Sequence, residues 1–321
     1  MFLFFPLELV HEIIAWLLIT PTSAEQAGTN PKPKWSLIAS FSSASKTYRT
    51  LALEAWFRVL FLRSPQDLLF LKENLQEIRS SWTRELHCIA NYHRQLDGHP
   101  WDLAGFCRLQ TIRLHCSSIV VVKERLPFIN IPPSVMEVDL RDLTWPSPFV
   151  FQAITATFPD LRTLRLSQRR VWCGLCHTCS TVKFVEPVPS KLVYKEGFGL
   201  PIHYARALAP MRYLHTVRIT IPYTNGTSIR LNPDDPAKDM WSGECEDCVR
   251  IMYADADFLE RWIARKGGTF LSNLPGKDAE RLYIKPPALE TVEWTFWRSE
   301  IDDDEELEEE EDLALADYDE E

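Results

Sequence analysis

Apolar and polar residues alternate in a hexamer that recurs along this chain. Thr83-Arg84-Glu85-Leu86-His87-Cys88, Leu109-Gln110-Thr111-Ile112-Arg113-Leu114, Val135-Met136-Glu137-Val138-Asp139-Leu140 and Leu161-Arg162-Thr163-Leu164-Arg165-Leu166 start 26 residues apart. Leu214-His215-Thr216-Val217-Arg218-Ile219 starts 53 residues after the fourth, and Leu289-Glu290-Thr291-Val292-Glu293-Trp294 starts 75 after that, near two and three further periods. Each is apolar at its fourth and sixth positions and usually at its first, so alternate side chains enter a core while Arg, Gln, Thr or Glu point outward. The pattern predicts an α/β fold: one short strand per period, stacked in parallel, with amphipathic or irregular returns. Residues 148–158 carry Phe149, Val150, Ala153, Ile154 and Phe158 at helical spacing and predict a helix behind the Leu161 strand. Pro127 and Pro132-Pro133 mark a tight return without a full helix.

The N-terminal third changes period. Leu9, Val10, Ile13, Ile14, Leu17 and Leu18 recur at helical spacing, with Glu8, His11, Glu12 and Ala15 opposite and Pro6 in the first turn. A secretory signal is disfavoured, because no Lys or Arg precedes the apolar run and Glu8, His11 and Glu12 interrupt it. His11-Glu12-Ile13-Ile14-Ala15 begins like a zinc-protease helix but has Ala where the second histidine ligand must sit. Residues 20–34, rich in Pro, Thr, Ser, Ala and Gly, predict a loop. Leu37, Ile38, Phe41, Ala44, Tyr48, Leu51, Ala52, Ala55 and Trp56 then describe one or two further amphipathic helices.

These segments carry a family resemblance. Phe5-Pro6-Leu7-Glu8-Leu9-Val10-His11-Glu12-Ile13-Ile14-Ala15-Trp16-Leu17 resembles the opening of an F-box, and Ser43-Ala44-Ser45-Lys46-Thr47-Tyr48-Arg49-Thr50-Leu51-Ala52 followed by Trp56-Phe57 resembles its closing half. Phe5 stands where the pattern has leucine, and an insert of fifteen residues separates halves that normally follow closely. The hexamers resemble degenerate leucine-rich repeats without the usual asparagine. Together they suggest an F-box protein of the fungal type with a leucine-rich-repeat-like solenoid. The resemblance implies a helical clip that binds the Skp-type adaptor of a cullin-RING ubiquitin ligase, with Pro6, Leu7, Leu9, Ile13, Ile14, Leu17 and Tyr48 as its contacts. The expected organisation is a helical domain over 1–62 with a loop inserted at 20–34, a linker helix at 63–82, and a solenoid over 83–299. That solenoid has insertions at 167–187 and 225–285.

Composition refines this picture at the C-terminus. The formal charge of −10 arises from residues 300–321, which hold fifteen of the 45 Asp and Glu and no Lys or Arg. The rest is slightly basic, which suits neither an acidic protein nor a strongly basic nucleic-acid binder. The acidic run predicts a disordered tail beyond the last strand. Eleven Gly, with Gly197-Phe198-Gly199 the nearest thing to a cluster, leave little material for a phosphate-cradling loop.

Eight cysteines are unevenly spread. Cys88, Cys107 and Cys116 lie singly, whereas Cys173-Gly174-Leu175-Cys176-His177-Thr178-Cys179 and Cys245-Glu246-Asp247-Cys248 pair thiols at a spacing that directs two sulfurs at one metal. A structural zinc on Cys173, Cys176, Cys245 and Cys248 is the expectation, with Cys179 and His177 as alternative ligands. Two insertions leaving the stack on one face can meet, and lengthening the closed loop costs only about 0.6 kcal/mol per doubling. Four thiolates leave no open position for catalysis. The thiols suit the reducing cytoplasm or nucleus. Trp172, Trp241 and Trp262 fall in the insertions, as a recognition face or as loop filling. The expected function is that of a ligase substrate receptor that is not itself an enzyme, binding the adaptor and an unidentified protein target, with no nucleic acid or membrane partner. The alternatives are a repeat scaffold unconnected to a ligase and a thiol or zinc enzyme built on Cys176, Cys179 and His177.

Overall fold

The computed structural model describes residues 6–18, 32–90, 100–116, 126–143, 148–173, 179–180, 182–184, 191–194, 199–225, 254–257 and 285–298. Three helices come first: α1 (Leu7–Leu17), α2 (Ser36–Ala44) and α3 (Lys46–Phe57). Pro6, without an N–H to leave unsatisfied, stands at the start of α1. Ser45 separates α2 from α3 in an extended conformation and caps α3 by accepting the Tyr48 N–H at 3.1 Å. The three helices bury a small core of their own around Val10, Ile14, Ile38 and Ala52, separate from the larger core that follows.

That larger core lies under a nine-stranded, mostly parallel sheet. Seven parallel strands follow one another in chain order: β1 (Val59–Leu62), β2 (Glu85–Ala90), β4 (Thr111–Cys116), β6 (Glu137–Leu143), β7 (Thr163–Gln168), β12 (Thr216–Asn225) and β13 (Thr291–Arg298). The register is that of the hexamers: Glu85, Thr111, Glu137, Thr163, Thr216 and Thr291 are successive partners. The turn before each strand repeats as well. The Arg58 carbonyl accepts the N–H of both Arg84 and Glu85, and the carbonyls of Arg84, Gln110, Met136, Arg162 and His215 repeat this on the next strand. Inward positions stack into two rows, Leu60-Leu86-Ile112-Val138-Leu164-Val217 and Leu62-Cys88-Leu114-Leu140-Leu166-Ile219-Trp294, all buried. Each large aliphatic there contributes about 1.5–3 kcal/mol of transfer free energy.

The ladder begins one period earlier than the hexamers indicate, since Val59 of β1 pairs with Glu85 inside the stretch assigned by sequence to the helical domain. Helix α4 (Pro65–Asn74) is the crossover from β1 to β2, within the expected linker at 63–82. Pro65 opens it, and a reciprocal capping box ties Ser64 to Asp67. A π-helical turn, Ile78–Trp82, completes the return. Behind the middle strands, the short parallel pair β3 (Trp101–Asp102) and β5 (Phe128–Ile129) takes the place of a helix where the prolines predicted none. Helix α5 (Pro148–Thr157) forms where the spacing predicts a helix and buries Val150, Phe151, Ala153 and Ile154 in the larger core; its neighbouring helix, α6 (Ile202–Leu208), is not among the elements expected from sequence.

The first insertion does not stand apart from the sheet. After the antiparallel pair β8 (Val171–Trp172) and β9 (Cys179–Ser180), β10 (Val182–Phe184) pairs with the far end of β12. Strand β11 (Lys191–Tyr194) lies antiparallel along the outer edge of β13. That edge is therefore closed by a strand as well as by the buried Trp294 and Phe296. Among the described residues the sheet does not close into a barrel, and no helix is long and apolar enough to cross a membrane.

Candidate functional site

Helix α1 carries two apolar stripes. Val10, Ile14 and Leu17, at i, i+4 and i+7, face the helical core, whereas Leu9, Ile13 and Trp16, at the same spacing, face outward and are 46%, 38% and 72% exposed. Pro6 and Leu7 are exposed beside them. Of the seven expected contacts, Pro6, Leu7, Leu9 and Ile13 thus lie on the open face. Ile14 does not: it is fully buried in the helical core, so its side chain cannot meet a partner. Leu17 and Tyr48 are half-buried against that core. Trp16 was missed, although its i+7 spacing from Leu9 places it on the same stripe.

The outward face of the sheet forms a second candidate surface. Asp139, in β6, is 2% exposed and accepts from Arg113 Nε at 2.9 Å and from Arg141 Nε at 2.8 Å. Glu85 binds His87 Nε2 at 2.6 Å and lies 4.0 Å from Arg113. Glu137 meets Arg165 at 2.6 Å, and Glu293 meets Arg218 at 3.7 Å. Burial opposes the Glu85 charge, but the His87 bond and the cations around it outweigh that and hold its carboxyl below the usual range. Burial lowers His87 in turn, against the pull of Glu85. Opposite charges thus sit across neighbouring strands, the arrangement that stabilises sheet pairing.

The cysteines divide into two groups. Cys88 and Cys116 are core residues, and burial pushes their thiols up, that of Cys116 to about 12 with help from Asp142, so neither supplies a thiolate. Cys173 is buried directly after β8. The β8–β9 pairing sets Cys179 opposite Trp172, which brackets the Cys-x-x-Cys motif with antiparallel strands. Cys176, His177, Cys245 and Cys248 lie outside the described residues, as does the acidic run at 300–321. Among the described residues no three His, Cys, Asp or Glu converge in a way that would hold a metal.

Trp172 fills the base of the first insertion and is not an exposed recognition residue. It is buried, with ring centroids 6.1 Å from Phe151 and 5.8 Å from Tyr204. The Tyr204 hydroxyl accepts from the Trp172 N–H at 3.0 Å and from Gln168 Nε2 at 2.9 Å, and His203 Nε2 bonds the Trp172 carbonyl. Trp241 and Trp262 lie outside the described residues, as does most of the second insertion. No protein-family model matches this chain, and no curated protein or solved structure matches it either.

Proposed function

We propose that this chain is the substrate-recognition subunit of an SCF-type cullin-RING ubiquitin ligase. In this reading the helical unit is an F-box that docks the Skp-type adaptor, and the sheet is a leucine-rich-repeat-like solenoid that holds a target protein. The observation that carries it is the second apolar stripe of α1, which the helical core leaves uncovered. A helix that is apolar on two sides needs two partners, and the described residues of the helical unit supply one. Leu9, Ile13 and Trp16 offer the i, i+4, i+7 anchors by which one helix recognises another across a groove. The ladder of parallel strands behind it supplies a broad rigid face. Catalysis on this reading is proximity: the target is held near a charged conjugating enzyme, and the chain needs no nucleophile or base.

The test is binding of the purified chain to the adaptor. Ile13→Asp with Trp16→Glu is expected to abolish binding while shifting unfolding by no more than about 0.5 kcal/mol per site, because both side chains face solvent. Ile14→Asp, placed in the helical core, should instead unfold the helical unit. Equal binding by wild type and the Ile13→Asp/Trp16→Glu variant removes the proposal.

The same reading includes a structural zinc on Cys173, Cys176, Cys245 and Cys248, a reducing cytoplasmic or nuclear setting, and neither membrane nor nucleic-acid partners. One zinc per chain is expected on metal analysis, with less in a Cys245→Ser/Cys248→Ser variant. A fully folded, metal-free preparation overturns that part alone.

A further inference from the structure

Helix α3 ends in two adjacent aromatic residues, Trp56 and Phe57, and a lysine is seated on both. The Lys32 ammonium lies 4.9 Å from the Trp56 ring centroid and 5.3 Å from that of Phe57. Both are within the roughly 6 Å over which a ring face attracts a cation. Each ring is held by another. Trp35 meets Trp56 edge-on at 5.0 Å, and Phe57 stacks on Trp82 at 6.2 Å. The rings come from a helix and are braced before any ligand arrives. Lys32 comes from residues 32–34, which belong to no helix or strand, and it is flanked in sequence by Pro31 and Pro33. Receptor and occupant are thus distinguishable within one chain: a ring pair carried by a helix, and a cation on residues that belong to no helix or strand.

We propose that the Trp56–Phe57 ring pair is a binding site for alkylammonium cations, specifically the methylated lysine of a partner protein, and that Lys32 occupies it as an internal stand-in. Methylation suits such a site because a primary ammonium is strongly hydrated and must give up water to enter, whereas a quaternary one holds less. Burial makes that cost visible by lowering Lys32 from 10.5 to about 8. A methylated side chain meets the same ring faces at a smaller loss and displaces the loop lysine without moving a helix.

Lys32→Ala vacates the site. The probes are choline and its uncharged carbon isostere 3,3-dimethylbutan-1-ol, followed by saturation-transfer NMR and calorimetry on the full chain. The variant is expected to bind choline at least about tenfold more tightly than the alcohol, the ratio that a cation–ring attraction supplies. Wild type should bind choline more weakly than the variant, because its own lysine competes. Adding Trp56→Leu should abolish choline binding. If Lys32→Ala binds choline and the alcohol equally, or binds neither, the proposal fails. The two-probe comparison stands even if Trp56→Leu disturbs the helical core.

Discussion

Asp139 and Glu137 sit two residues apart on the same strand and the same face, each paired with arginine, yet their removal should have very different consequences. Asp139 is 2% exposed and shared by Arg113 and Arg141, whose side chains are themselves only 14% and 25% exposed. Removing one member of a buried ionic cluster costs about 3–5 kcal/mol, because the remaining charges lose their partner without regaining full hydration. Partial access of Arg141 to water places Asp139→Ala at the lower end, about 3 kcal/mol. Glu137 and Arg165 are 25% and 36% exposed, where a pair contributes about 0.2–1 kcal/mol. Urea unfolding of both variants gives the contrast. With a slope near 3 kcal/mol per molar, Asp139→Ala lowers the midpoint by about 1 M and Glu137→Ala by no more than about 0.3 M. Equal shifts, or an Asp139 effect below about 1 kcal/mol, would show that the polar face is not organised around a buried carboxylate.

Two further outcomes follow from local geometry. Burial holds His87 below its ordinary 6.5, so as pH falls through that value the unfolded chain takes up a proton that the folded one resists, and stability declines. Glu85, held below 4.5, adds to the decline at lower pH, so urea midpoints should fall from pH 7 to pH 5 more steeply in wild type than in His87→Gln; parallel profiles would exclude His87 as the source. Gly105 has φ +85, and a Cβ there would meet the Arg79 guanidinium at 2.8 Å. Gly105→Ala should therefore cost about 1–2 kcal/mol in thermal unfolding, mostly through the left-handed backbone since the arginine can move; an unchanged melting temperature would refute this.

The strand register was legible in the sequence because a one-residue slip would turn every inward leucine toward water, and the hexamers preserve one parity over more than 200 residues. β1 was hidden for the opposite reason. Val59-Leu60-Phe61-Leu62 is a continuous apolar run with no alternation, lying against residues that read as helix, although Val59 stands one period before Glu85. β10 and β11 left no periodic trace because their partners lie far along the chain. On α1, sequence spacing identifies the apolar positions, but the family resemblance includes Ile14 among the adaptor contacts and leaves out Trp16. A helix with two apolar stripes does not announce which one its own bundle will use, and only packing against Ile38 and Ala52 decides it. Nor does alternation separate a buried outward carboxylate from a solvated one, which is why Asp139 looked like any other polar position.

The strand that seals the last edge of the sheet also sets an order of events. Tyr194 of β11 pairs with Trp294 of β13, a hundred residues later. Neighbouring strands earlier in the ladder are separated by about a quarter of that, so they can assemble as the chain leaves the ribosome. Among the described residues, β11 has no partner until β13 has been made. Completion of the described sheet therefore waits on β13, and a chain truncated before residue 291 would leave one edge of β12 bare and β11 without its partner strand, both ready to pair with another molecule.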